Sequence, residues 1–109
     1  MPMDLDTFRK LVAMDDSDAL SRFALGQALF QQGGSPEALN EAVEHLVFAN
    51  IQAPEHLATY HIFGQVLIKL GHTDEARTVL VTGSTKADDV GEGMGHDLGP
   101  AMAKLLETL

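Results

Sequence analysis

The sequence contains no cysteine and no tryptophan, and its aromatics amount to five phenylalanines and one tyrosine. Without cysteine there is no disulfide, no thiolate metal ligand and no cysteine nucleophile. Basic residues are scarce too. Seven Lys and Arg face sixteen Asp and Glu, a formal charge of −9. Nucleic acids and anionic membrane surfaces are bound through basic patches, so neither is expected as a partner. No apolar run approaches the roughly 20 residues that span a bilayer. The start, MPMDLDTFRKLV, carries acids where a secretory signal needs bases ahead of a long apolar stretch. A cytoplasmic protein is the default expectation.

What is present fits a folded chain. At 109 residues there is room for one ordinary domain, and 45% apolar against 21% charged residues argues against disorder. The strongest signal is internal similarity. FALGQALFQQGG and the later NEAVEHLVFANIQAPEH align with HIFGQVLIKLG and the later TDEARTVLVTGSTKADD. Gly26 matches Gly64, each followed by Gln; Leu25 matches Phe63, Leu29 matches Leu67 and Phe30 matches Ile68. Further on, Ala42 matches Ala76, Leu46 matches Leu80 and Ala49 matches Gly83. The first set is offset by 38 residues and the second by 34. The four extra residues lie in GGSPEALN. They are close to one helical turn, so they lengthen a helix at its start and leave its apolar face in phase.

Both segments read as helices. Phe23, Leu25, Gly26, Leu29 and Phe30 recur at helical spacing, as do Val43, Leu46 and Val47. Gly33-Gly34 and Gly71 stand where helices end. Ser35-Pro36-Glu37 and Thr73-Asp74-Glu75 supply caps and first-turn acids for the helices that follow. No segment shows the period-two alternation of a strand. Each unit is therefore expected to be two antiparallel helices joined by a short turn.

Leu25-Gly26, Leu29, Ala42, Leu46, Ala49 and Pro54 in the first unit resemble the tetratricopeptide repeat. So do Tyr60, Phe63-Gly64, Leu67, Ala76, Leu80 and Gly83 in the second. The resemblance covers about residues 18–88. It departs at Arg22, where the family has Trp or another large residue, and at Asp88, where it has a closing proline. The implied fold is an all-α repeat solenoid in a single domain, 1–109, stacked right-handedly. It comprises an N-terminal helix over 4–15, repeats over 18–54 and 55–88, a Gly-rich connector over 89–97 and a C-terminal capping helix over 98–109. LDTFRKLVAMDDSD looks like the second helix of a preceding unit, with Phe8 in the large-residue place. Leu98, Met102, Leu105, Leu106 and Leu109 share one face of the last helix.

GEGMGHDLG, from Gly91 to Gly99, invites a catalytic reading that its details argue against. A phosphate cradle needs glycines between a strand and a helix. This segment follows a helix, lacks a nearby Lys and carries Glu92 and Asp97. It reads as a connector, with Asp97 as a candidate cap. Histidines 45, 56, 61, 72 and 96 include no pair at the i, i+4 spacing that sets two ligands on one helix face, so no metal or other cofactor is expected. Nothing gathers a nucleophile, a base and an orienting acid, and catalysis is not expected either.

The resemblance implies protein binding. In the family the first helices line a concave groove for an extended peptide or a partner's helix. The matching positions are Leu20, Phe23, Gln27 and Phe30, then Ala58, His61, Gln65 and Ile68, with Lys69 at the edge. The Lys and Asn of the carboxylate clamp that grips acidic chaperone tails are replaced by Phe23 and Gln27, so acidic tails are not the expected ligand. Gln27 and Gln65 could bond a peptide backbone. Two other readings stay open: the terminal helices cover Phe23 and Phe30, or a homodimer fills the groove with its own copy. From the enzyme class, the rival is a hydrolase or nucleotide binder using the glycine segment.

Overall fold

The computed structural model describes residues 4–90 and 95–109. Six helices make it up: α1 (Leu5–Met14), α2 (Ala19–Ala28, continued by a π-helical turn, Leu29–Gly33), α3 (Pro36–Gln52), α4 (Leu57–Lys69), α5 (Thr73–Val90) and α6 (Gly95–Glu107). The described residues are 84% helical and include no strand, as the apolar spacing predicts. It divides into two compact units, Met1–Ala53 and Pro54–Leu109.

Side chains start the helices of the first unit. Asp4 accepts from the Thr7 N–H at 2.9 Å, Asp18 from Ser21 at 3.3 Å and Ser35 from Ala38 at 3.1 Å. Each satisfies a first-turn donor that has no partner within its helix. Gly34 and Gly71 take left-handed backbone angles, φ +75 and +82, just past the ends of the first helix of each hairpin. Any side chain there would be strained.

In the first unit α2 packs against α1 and α3. Leu25, Ala28 and Leu29 on one side and Leu39, Ala42, Leu46 and Ala49 on the other are all buried. The helices approach so closely that a Cβ on Gly26 would stand 2.8 Å from Leu46 Cγ. In the second unit α5 packs against α4 and α6, and α6 also reaches α4. Gly64 lies on Leu80 in the same way as Gly26 on Leu46. The matched pairs thus repeat one contact twice. Leu57, Tyr60, Leu80, Ala87 and Met102 form the core of this unit, with Leu98, Leu105, Leu106 and Leu109 packed on it and partly buried.

The four-residue insertion is shared between two places. Gly34 lies eight positions after Gly26, whereas Gly71 lies seven after Gly64. The π-helical turn takes up that one residue, closed by the Gly34 N–H on the Leu29 carbonyl five residues back, at 3.1 Å. Pro36 lies six positions before Ala42, whereas Thr73 lies three before Ala76. The other three residues therefore extend the start of α3. The sequence shows the insertion; only the backbone shows that one residue of it sits in α2.

The helices extend further toward the glycine segment than the sequence suggests. Asp89 and Val90 belong to α5, and Gly95 to Asp97 belong to the first turn of α6. Asp97 is a first-turn acid rather than the cap. Residues 91–94 of the expected connector lie outside the described residues. A glycine costs a helix about 1 kcal/mol relative to alanine. Packing of Gly99 and Met102 against α5 offsets that cost, both being buried.

Candidate interaction surface

Leu20, Phe23, Gln27 and Phe30 follow one another at intervals of three, four and three along α2 and its π-helical turn. Ala58, His61, Gln65 and Ile68 repeat those intervals along α4. Such spacing sets each group on one helix face. None belongs to the fully buried core. Leu20 is 58% exposed and Lys69 is exposed, while the other seven are half-buried. Phe23 and Phe30 are therefore neither bare nor fully covered. Each unit presents a stripe with an aromatic or aliphatic body and an amide one helical turn away.

On α4 the amide has a partner. Gln65 Nε2 lies 3.1 Å from His61 Nε2 and 3.4 Å from the His61 carbonyl oxygen. With Gln65 donating, His61 Nε2 accepts and the ring proton sits on Nδ1. Burial pushes His61 below the ordinary histidine value, which favours that neutral ring. The α4 stripe is thus uncharged up to Lys69. Two other histidines have local partners. His56 Nδ1 lies 2.8 Å from Thr59 Oγ1 at the start of α4, and His72 lies 3.9 Å from Glu75. Among the described residues no cluster of three or more His, Cys, Asp or Glu is set to hold a metal ion.

A polar network in the first unit went unseen in the sequence. Arg9 Nη2 donates to Glu41 Oε1 at 2.8 Å, and Glu41 Oε2 lies 3.3 Å from His45 Nε2. His45 Nδ1 lies 3.3 Å from Arg22 Nη1, and the Arg22 Nε donates to the Asp16 carbonyl at 2.9 Å. The Arg22 guanidinium lies 4.3 Å above the Phe48 ring, a cation–π contact. Burial works against ionisation of Glu41, but hydrogen bonds from Arg9 and His45 outweigh it and hold its carboxyl below the usual value. The i, i+4 spacing of Glu41 and His45 was a readable signal; the approach of Arg9 and Arg22 was not. The network ties α1, α2 and α3 together and brings no nucleophile to a base. Beside it, an open depression of about 390 Å³ is lined by Asp4, Leu5, Asp6, Arg9 and Gln32.

The model of the anaphase-promoting complex, cyclosome, subunit 3 family, a family of tetratricopeptide-type repeats, matches residues 7–82, well over half of the chain. The chain belongs to this family. Its two hairpins are tetratricopeptide-type repeats, a helical repeat fold whose general use is protein–protein interaction. No curated protein matches the chain. The family identity gives the repeated Gly–Leu contacts their meaning, since close helix packing in each hairpin is what builds the unit. No helix of the described residues is long and apolar enough to cross a membrane.

Proposed function

We propose that this chain is a non-catalytic, cytoplasmic interaction module that holds an extended peptide or a partner's helix on the first-helix faces of its repeats. The observation that carries the reading is the recurrence of one stripe on α2 and α4. Leu20, Phe23, Gln27 and Phe30 on one, and Ala58, His61, Gln65 and Ile68 on the other, stay out of the fully buried core. Apolar bodies supply contact area, and Gln27 and Gln65 offer an amide that can both donate to and accept from a peptide backbone. The charge of −9 favours a neutral or basic peptide over an acidic one.

Peptides selected from a random display library against the wild-type chain provide the test. Their binding should fall at least about tenfold on Phe23→Ala and on Gln65→Ala, with unchanged helical circular dichroism. Equal binding to the wild type and to Gln65→Ala would remove the α4 face from the site.

A further inference from the structure

Gln27 and Gln65 hold equivalent places, but their neighbours differ. Phe23 stands one turn before Gln27, and His61 stands one turn before Gln65. A phenyl ring has no nitrogen to bond an amide. An imidazole has two, and each accepts or donates according to its proton. An amide can likewise do either. On α4 its direction is set by the helix that carries it.

Two contacts fix that direction. Gln65 Nε2 lies 3.1 Å from His61 Nε2 and 3.4 Å from the His61 main-chain oxygen. A carbonyl oxygen only accepts, so the amide nitrogen is the end turned inward, and the ring must accept at Nε2. Both N–H bonds of Gln65 are used in this way. Its Oε1 is left without a partner. Among the described residues the one buried side-chain atom in that condition is Asn50 Nδ2, so Gln65 Oε1 is open to solvent. The α4 stripe therefore shows a ligand a hydrogen-bond acceptor, between the bodies of His61 and Ile68.

This arrangement needs a neutral ring. Burial disfavours the charged form and is the cause that holds His61 low; no charged group contributes. On α5 the charges have other partners, Lys86 with Glu55, Arg77 with Asp74 and Glu75 with His72. On α6, Asp97, Lys104 and Glu107 are exposed. On α4 itself, Lys69 lies two turns on and the Tyr60 hydroxyl is spent on Pro54. A proton added at Nε2 reverses the bond. The ring then donates, the amide turns over to accept, and Gln65 Nε2 takes the open place. A ligand N–H that had met an acceptor now meets a donor.

Resting on the reading of the α4 stripe as a peptide site, we propose that His61 is its positioning residue: neutral, it presents Gln65 Oε1 to a main-chain N–H of an extended peptide, and protonated, it withdraws that acceptor. An extended segment is the fitting partner because its N–H groups are free, whereas a helix has used its own beyond the first turn. Protons and peptide thus compete. Affinity is highest with the ring neutral and declines as pH falls below about 6.5, through the lower folded value of His61. Bound peptide in turn keeps the ring neutral to a lower pH.

The test uses display-selected peptides that lack His, Asp and Glu, with affinities taken by titration calorimetry. Nitrogen NMR of the His61 ring, with and without peptide, reports its tautomer and its titration. The ring proton should sit on Nδ1 at neutral pH, and peptide should move the titration to lower pH. Wild-type affinity should fall about two- to tenfold as the ring titrates, the worth of one hydrogen bond. His61→Phe, which carries the side chain of the matching Phe23, should lose that pH dependence. When each peptide N–H in turn is replaced by an ester oxygen, one position should cost a similar factor with the wild type and nothing with Gln65→Ala. Circular dichroism checks that each variant is folded. A ring proton on Nε2 at neutral pH overturns the proposal. So does a ring that fails to titrate before the chain unfolds, a pH dependence undiminished in His61→Phe, or the absence of any ester position coupled to Gln65. Peptides that bind Gln65→Ala as well as the wild type overturn the α4 site and this role of His61 together. Peptides that need Gln65 but show neither the pH effect nor the ester effect overturn the role of His61 alone.

Discussion

One repeat position is filled by Arg22 in the first unit and by Tyr60 in the second, and the two units are built around that difference. Tyr60 is 3% exposed, seats its ring under Gly83 and donates its hydroxyl to the Pro54 carbonyl at 2.6 Å. It anchors an apolar core that reaches Met102 in α6. Arg22 cannot be buried that way without a large desolvation cost. It lies instead over Phe48, joined through His45 and Glu41 to Arg9. A tetratricopeptide-type repeat thus tolerates a cation where it usually holds a large ring, provided that a ring on the neighbouring helix and a carboxylate behind it complete the contact. The second unit gains most of its stability from area, which salt barely touches and which pH reaches through His61. The first gains part of its stability from charge, which both can remove.

The sharpest way to test this contrast is to overpack the shared glycine contact. Gly64→Leu should unfold its unit outright, because even a Cβ at Gly64 collides with Leu80. Overpacking of this kind costs about 1–3 kcal/mol or more of a marginal total. Gly26→Leu should follow, with somewhat less effect at the first methyl, since its Cβ would meet Leu46 Cγ at 2.8 Å, a milder clash than that on Leu80. Comparing Gly26→Ala with Gly64→Ala by urea midpoint should therefore place Gly64→Ala lower. The reverse order would mean that Leu80 moves aside more easily than Leu46.

Next comes the position itself. Tyr60→Ala should cost about 3–5 kcal/mol as a large core deletion, and Tyr60→Phe about 0.5–1.5 kcal/mol for the lost hydroxyl bond. Arg22→Ala should cost about 1 kcal/mol, the scale of a half-exposed cation–π and hydrogen-bond set. Equal losses from Tyr60→Ala and Arg22→Ala in thermal unfolding would erase the distinction between the units.

Acid separates them by window. His61 is held below its ordinary value by burial, so the unfolded chain binds that proton more tightly than the folded one. Its contribution is present above about pH 6.5 and is lost as pH falls through that value toward the lower folded one. His61→Gln should flatten the stability curve as pH falls below about 6.5. Glu41 is held low by Arg9 and His45 despite burial. Its contribution is present above the ordinary carboxylate value, about pH 4.3, and disappears as pH falls through the folded value below it. Glu41→Gln should remove that acid-side loss.

The smallest effect concerns the Arg9–Glu41 pair, whose side chains are 45% and 33% exposed. Arg9→Gln should cost roughly 0.2–1 kcal/mol at low salt and close to nothing at about 1 M salt. An Arg9→Gln cost that is undiminished in high salt would mean that Arg9 acts through packing rather than charge.

Much of this architecture was legible in the chain. The glycines and leucines of the repeat point to their partners because close helix packing admits few residue types. Gly26 does lie on Leu46 and Gly64 on Leu80. The cap Ser35 was readable because an exposed first turn calls for a side-chain oxygen. The site was less legible. The stripe of Leu20, Phe23, Gln27 and Phe30 follows from the family resemblance, but its degree of burial does not, because burial is set by what packs alongside. The contact between Gln65 and His61 was within reach as an i, i+4 pair on one helix. The seat of Arg22 over Phe48 was not, since it joins residues on different helices.

The sequence by itself determined the number and kind of helices, the hairpin pairing and the apolar residues that hold each hairpin, because periodicity and turn chemistry are local properties of a chain. The tertiary structure decided the rest. It placed one inserted residue in a π-helical turn, carried α5 and α6 into the glycine segment and seated the Arg22 cation over the Phe48 ring. Each of these depends on the space that other helices leave, and no local pattern records that space.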